Sequence, residues 1–367
     1  MTTGRTAATV AVVGAGIGGL AAAISLRREG FRVELYEQAS SMRENGTVIG
    51  NRSRTVDIIH SWGLRDAYEP LTLQIRTIRM VSGETGEYLG EIELLDEDED
   101  PADARHHVIR RQDLQRLLAS QLPAESIHLS HRCETIVDHG NRVEIRFTDG
   151  SVAHADAVVG ADGIHSVVRR LLHSDRPVYC GMHSYPGVVE ADRVRDLMPE
   201  GATSLMWQRT QGVGAFIAMT AHQGKYVGFD AVLPVAEAGD DSWRTTIPRD
   251  ELVEKLDGFH PDVLEIVRRS TDTEVIAFGM HDREPIHDWT SNRITLLGDA
   301  AHPMLPAEGQ GANLAIQDGA ALGEFLRGAD ADGIPAALRR YSDARAPIAA
   351  AIQQRSRDLS PFSRLQN

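Results

Sequence analysis

Apolar residues along this chain come in short blocks punctuated by glycine, and the first block sets the pattern. Residues 8–13 (ATVAVV) are a compact run rich in β-branched side chains, as in a parallel strand buried on both faces. From about Ile17 the apolar positions recur at helical spacing up to Gly30, which stands where a helix C-cap belongs. A second strand follows through Val33, Leu35 and Tyr36 and ends in Glu37.

Further on, residues 40–54 are polar and glycine-containing, hence loop, and residues 55–62 are helical up to Gly63. Residues 73–81 and 88–95 alternate like strands joined by a turn from Gly83 to Gly86, and residues 96–104 are an acidic, solvated loop. An amphipathic helix is predicted over 108–122, opening with IRRQDL, then strands over 127–131, 132–137 and 143–147 with a hairpin turn at Asp149-Gly150. Residues 157–160 are again a short buried strand.

From 177 to 276 the character changes. Strand-like runs at 187–190, 204–207, 215–219 and 226–229 are separated by turns, with a helix near 250–256. The buried-strand pattern returns at 294–297, a helix covers 311–326, and the tail from 336 to 357 is helical with a kink or break at Pro347. This predicts an α/β protein in which a Rossmann-like first domain (1–72, 100–176 and 277–330) is interleaved with a smaller β-sheet second domain (73–99 and 177–276), followed by a C-terminal helical segment (331–367).

Composition narrows the classes. A chain of 367 residues is too long for one small core, and a net charge of −15 argues against nucleic acid or an anionic membrane as partner. Cys133 and Cys180 show no C-x-x-C and no metal-ligand spacing, so no metal is expected and a reduced, cytoplasmic setting fits. The apolar start is broken by Gly14, Gly16, Gly18 and Gly19 and resumes as a strand, unlike a targeting or membrane segment.

Three clusters carry candidate chemistry. Gly14, Gly16 and Gly19 spell G-x-G-x-x-G, with Ile17 and Gly18 inside it. Gly14 permits the tight turn, Gly16 lets backbone amides approach a pyrophosphate, Gly19 allows close helix–strand packing, and Glu37 is placed for a ribose diol. Glycines also serve ordinary turns; strand, helix, second strand and acid in order favour dinucleotide binding. The second cluster, VVGADGIHSVVRR (158–170), is a strand ending in a turn with Asp162 and Gly163. Asp162 there fixes a ribose or a loop, Ser166 caps a helix, and Arg169 is suited to a phosphate. The third spans 293–322, where a strand meets Gly298-Asp299. Asp299 is placed to bind a sugar-like hydroxyl. Pro306 and Gly309-Gln310-Gly311 lead into a helix whose first amides, through Ala312, would face an electron-rich ring carbonyl such as that of an isoalloxazine. His302 is read as a packing or hydrogen-bonding residue and Asp318 as one that fixes the helix.

In this order the clusters resemble the group A flavoprotein monooxygenases, the family of p-hydroxybenzoate and salicylate hydroxylases, over nearly the whole chain. GAGIGG (14–19) is similar to the family's FAD fingerprint, GADGIHSVVR (160–169) to its Asp-Gly motif, and GDAAHPMLPAEGQGAN (298–313) to its Gly-Asp motif. Arg111 in RRQDL corresponds to an arginine that contacts FAD in relatives, and YSDARAP (341–347) resembles the family's C-terminal signature. The resemblance implies FAD as cofactor, NADPH or NADH as reductant, and O2 as co-substrate. It further implies a flavin C4a-hydroperoxide that hydroxylates an aromatic, heteroaromatic or polyketide-type small molecule. Where many relatives carry Gly-Ala-Gly-Ile and then Pro-Asn, this chain reads RENGTVIGNRSRT (43–55), which makes Arg43 a candidate FAD or NAD(P)H contact and leaves room for a larger substrate. Trp207, Arg209 and Tyr226, on strands of the second domain, are candidate substrate residues, while Phe216 and Phe229 read as sheet core. Two other readings of the scaffold stay open: an oxidase or dehydrogenase without oxygen insertion, and a flavin-binding protein without turnover.

Overall fold

The first apolar block is the strand β1 (Thr9–Val13), and its glycine-rich end leads directly into helix α1 (Ile17–Arg28). β1 pairs in parallel with β2 (Arg32–Tyr36) on one side and with β3 (Ala157–Gly160) on the other, and β3 pairs in parallel with β4 (Ile294–Leu296). The register aligns Val13 with Tyr36 and Gly160, and Gly160 with Leu296, so the carboxyl ends of all four strands fall on one edge of the sheet. Nearly every residue of β1 and β3 is buried, which explains why these strands read as continuous apolar runs. Thr290–Ser291 and Ile127–His128 complete the sheet of six strands.

In this computed structural model residues 7–42, 47–95, 100, 103–211, 213–239 and 245–359 are described. The chain divides into two compact units. The first comprises Met1–Arg43, Gln115–Val178 and Asp282–Asp358; the second comprises Glu44–Leu114, Tyr179–His281 and Leu359–Asn367.

After helix α2 (Arg111–Ala119), helix α3 (Gly311–Leu326) of the first unit packs along α1 through small residues. A Cβ on Gly18 would lie 3.1 Å from the Ala315 Cβ, one on Gly319 would lie 2.6 Å from the Ala22 nitrogen, and one on Gly323 would lie 2.8 Å from the Ser25 Cβ. These contacts advance together, so the two helices run parallel and begin at the same end. The long C-terminal helix α4 (Ile334–Leu359) passes unbroken through Pro347 and belongs to this unit, with Arg345 on Asp318 and the Gln353 side chain donating to the Pro303 carbonyl at 2.7 Å.

The second unit is built on a seven-stranded sheet in the order Phe278–Asp282, Val178–Glu190, Tyr226–Pro234, Ala215–Ala221, Ser204–Gln208, Thr77–Ser82 and Tyr88–Glu93. One face packs Leu205, Trp207, Phe216 and Phe229 against Leu252 of helix Arg249–Lys255, Leu256 just after it, and Val263, Ile266 and Val267 of helix Pro261–Arg268. The second of those helices escaped the sequence reading, although its amphipathic spacing is regular.

The boundaries differ from those expected. Residues 47–72 and 103–114 group with the second unit, because Val48–Asn51, Thr72–Ile75 and His106–Arg110 form a three-stranded sheet of their own. Its apolar residues Val48, Ile75 and Val108 cluster with Ala221 of the large sheet. The helix predicted from 108 therefore starts only at Arg111, since Val108–Arg110 is consumed by strand pairing.

Candidate active site

The three glycine turns meet at the carboxyl edge of the first sheet. Gly14 has φ +107°, and a Cβ there would sit 2.3 Å from the Ala161 carbonyl oxygen, so the first turn lies against the second. A Cβ on Gly19 would sit 1.9 Å from the Gly14 carbonyl oxygen, which is why α1 can close onto its own entry loop. The second turn is tied to the third by Arg169, whose Nη1 donates to the carbonyls of Ala301 (2.8 Å) and Ala300 (3.2 Å).

Two helices aim their first turns at this edge. No side chain caps α1 at Gly16 or α3 at Gln310, so first-turn N–H groups are left for another acceptor. A Cβ on Gly16 would meet nothing within 4 Å, in contrast to Gly14 and Gly19, so the space over the start of α1 is open. Glu37, at the tip of β2, accepts from the Ala15 N–H (2.9 Å) and the Ala39 N–H (2.8 Å), which fixes its carboxylate beside the glycine turn. Asp299 is exposed between buried Gly298 and Ala300, and among the described residues no hydrogen bond reaches its carboxylate. Pro306 and Gly309 are exposed just ahead of α3, with Gly311 and Ala312 half-buried in its first turn. This is what an extended, doubly phosphorylated dinucleotide needs: uncapped amides, an open glycine, and acids at two strand ends.

Several candidates turn out otherwise. Asp162 is not free for a cofactor, because its carboxylate accepts from the Ser166 hydroxyl (2.5 Å) and the Val167 N–H (2.7 Å) and so holds its own loop. Arg169 is completely buried and no phosphate can reach it. Its Nε and Nη2 fork onto Asp175 at 3.0 and 2.8 Å, and its remaining donors go to main-chain carbonyls. Arg169→Ala is expected to destabilise the folded protein by about 3 kcal/mol, with Lys a poor substitute because it cannot fork. Urea denaturation of both variants checks this, and wild-type stability would exclude the clamp. Ile17 is buried and Gly18 packs on Leu297 and Ala315, so both offer a cofactor only their main chain. Arg43 lies outside the described residues. Arg111 opens the helix Arg111–Ala119. One turn later Gln115, which the sequence reading missed, donates to the Ala15 carbonyl at 2.9 Å.

Of the substrate candidates, Trp207 and Arg209 sit on the helix-covered side of the second sheet. Trp207 is 2 % exposed and meets Phe216 edge-on, and the Arg209 guanidinium lies over the Phe259 ring at 5.3 Å, near Glu84. Glu84 is held down at about 2: burial opposes this, but the main-chain N–H groups of Thr210 and Gln211 outweigh it. Tyr226 is half-buried under the Arg110 guanidinium, 4.3 Å from its ring centre, with His222 edge-on to it.

Behind the third turn, His302 and Asp318 meet through Nε2 and Oδ2 at 2.5 Å, Arg345 Nε donates to Asp318 Oδ1 at 2.8 Å, and the Gly298 N–H donates to Oδ2 at 3.3 Å. Burial alone would raise the Asp318 carboxyl; the charges and hydrogen bonds of His302 and Arg345 hold it below the usual carboxylate range. No helix among the described residues is long and apolar enough to cross a membrane.

Comparison with known proteins agrees with this geometry. A family model described as "FAD binding domain" matches residues 7–356. The chain is 35% identical over 349 residues to a 3-amino-4-hydroxybenzoate 2-monooxygenase of Streptomyces platensis, covering 95% of this chain and 87% of that protein. It is 32% identical over 353 residues to a 6-hydroxynicotinate 3-monooxygenase of Pseudomonas fluorescens, covering 95% and 90%. The crystal structure of Klebsiella pneumoniae HpxO complexed with FAD and uric acid superposes with a TM-score of 0.83 at 26% identity, covering 96% of this chain and 87% of that one. With its convergent glycine turns, its two uncapped helix starts and matches of this length, the chain belongs to the group A, FAD-dependent flavoprotein monooxygenases.

Proposed function

We propose that this monooxygenase hydroxylates a small aromatic or heteroaromatic ring bearing hydrogen-bonding substituents, with NAD(P)H as reductant and O2 as oxygen source. The observation that carries the reading is the convergence of three glycine turns under two uncapped helix starts. The relatives support the substrate class, being named for a substituted hydroxybenzoate and a hydroxynicotinate. Cys133 and Cys180 are buried and form no disulfide among the described residues, which supports a reducing, cytoplasmic setting.

The residues fit FAD, which when bound supplies the redox chemistry. The main chain of Gly14–Gly19 and the first amides of α1 would take the pyrophosphate, Glu37 a ribose diol, and Asp299 a hydroxyl of the cofactor chain. The family resemblance implies Arg111 as a further contact of the cofactor. The first amides of α3, at Gly311 and Ala312, would stabilise negative charge at the ring edge, with Pro306 and Gly309 beside it; the Gly309 N–H itself donates to the Pro306 carbonyl at 2.9 Å.

Purified protein should be yellow, and addition of a hydroxylated benzoate or nicotinate should stimulate NAD(P)H consumption with isotopically labelled O2 appearing in the product. Substrate-dependent oxidation without label in the product would favour an oxidase, and colourless protein unable to take up FAD would end the reading. Asp299→Ala should weaken FAD binding by about 1–3 kcal/mol, from one lost hydrogen bond to a carboxylate. Titration of the apoprotein with FAD measures this, and an unchanged affinity would remove Asp299 from the site.

A further inference from the structure

The large sheet of the second unit has two faces of opposite character. Odd-numbered Leu205, Trp207 and Phe229 lie under the helices, so their even-numbered neighbours point the other way. On that second face the cross-strand pairs Pro186–Asp230, Asp230–Ile217, Ile217–Met206 and Met206–Met80 make one continuous row. Four of its members are apolar and the fifth is an acid. Asp230, Ile217, Met206 and Met80 are all half-buried rather than sealed in a core.

An acid amid such neighbours needs partners, and Asp230 has few. The Ser184 hydroxyl reaches its two oxygens at 2.7 and 2.9 Å, and the Tyr185 N–H reaches Oδ1 at 3.1 Å. Across the ladder stands Pro186, which has no N–H to give. Among the described residues no cation forms an ion pair with Asp230. A carboxylate has about four acceptor sites, and one hydroxyl proton with one amide leaves about two of them unfilled. Burial lifts this carboxyl to about 7 despite both donors, a sign of how little solvation it keeps.

Resting on the function proposed above, we propose that Asp230, oriented by Ser184, is the positioning residue that receives a hydrogen-bond donor on the substrate ring, with the ring lying on Ile217, Met206 and Met80. The substrates selected are then aromatic rings with a phenolic hydroxyl, an amino group or a ring N–H at that end. A carboxylate, if the ring carries one, is directed away from Asp230 by like charge. Rings whose donor is blocked by a methyl group lack the contact and leave the acid desolvated and underfilled, which is where the selectivity arises.

The test uses the FAD-loaded full chain, with 3-amino-4-hydroxybenzoate and 6-hydroxynicotinate as probes and their O-methyl ethers as controls. Binding is read from the perturbation of flavin absorbance. Wild-type enzyme should bind at least one free hydroxyl probe at least about tenfold more tightly than its ether. Asp230→Asn, which is isosteric, should remove most of that difference by weakening the hydroxyl probe and not the ether. Ser184→Ala should reduce the difference partly, and FAD content reports that each variant is folded. If wild type and Asp230→Asn discriminate equally, or if the variant loses probe and ether alike, the inference falls while the functional reading stands. If Asp230→Asn does not fold, a Ser184→Ala enzyme with wild-type discrimination likewise overturns it. FAD-loaded wild type that binds no probe and shows no stimulated NAD(P)H consumption overturns the functional reading itself, and the inference with it.

Discussion

Asp318→Ala is expected to lower the stability of the folded protein by about 3–5 kcal/mol, the cost of leaving buried partners of an ion pair without their counter-charge. Asp318 is fully buried, His302 is 1 % exposed, and Arg345 is 7 % exposed. Without the carboxylate, the Arg345 guanidinium has a desolvated charge to accommodate and His302 loses the partner of its Nε2. The Gly298 N–H loses an acceptor as well, so the third turn should loosen and FAD should be retained less well. The sign of the pH dependence follows from the same contacts. Because the folded carboxyl is held below its unfolded value, its stabilisation is present above the ordinary carboxylate range and is lost as pH falls through and below it. The wild type should therefore lose stability on acidification more steeply than the variant. Urea denaturation at neutral and acid pH measures both effects, and equal acid sensitivity would contradict the assignment.

A second large effect is expected from Gly19→Ala, with Gly16→Ala as its counterpart. An added Cβ at position 19 would lie 1.9 Å from the Gly14 carbonyl oxygen, a main-chain atom of a turn that already touches Ala161. Nothing at the end of a flexible side chain can give way there, so the cost should be near the top of the overpacking range, about 3 kcal/mol, and the nucleotide turn should be lost. At position 16 the same methyl meets no atom within 4 Å. Gly16→Ala should keep its fold, with apoprotein stability within about 0.5 kcal/mol of wild type, and still bind FAD poorly because the methyl occupies the phosphate's approach. Denaturation of the two apoproteins beside FAD titration separates the cases. Wild-type FAD affinity in Gly16→Ala would place the pyrophosphate elsewhere.

Much of the site was legible before the structure because its constraints are local. A strand of 5 residues, a turn that needs glycine, and a helix starting without a cap leave their marks within one stretch of chain, from Thr9 to Arg28. The same holds for the Gly298-Asp299 turn and for α3, whose limits the sequence reading placed at 311 and 326 as observed. The acids were harder. Asp162 and Asp299 both follow a glycine or alanine at a strand end, yet one carboxylate turns inward onto Ser166 and Val167 while the other stays exposed. Ser166, four residues after Asp162, reads as a helix cap, and its Oγ does accept from the Arg169 N–H at 2.8 Å; the overlooked signal was that its hydroxyl also donates to the acid.

By itself, then, the amino-acid order determined the α/β class, the three glycine turns and the family, since strand period, helix period and glycine geometry are properties of neighbours in sequence. Only the tertiary structure decided which face of the second sheet is covered, because the helices that cover it, 249–255 and 261–268, come from a distant stretch. Alternation along a strand defines two faces without saying which one is sealed. That choice placed Trp207 and Arg209 under the helices and left Asp230 on the other side, and the meeting of Arg169 with the Ala300 and Ala301 carbonyls, more than a hundred residues away, made a buried clamp of a residue that read as a phosphate ligand.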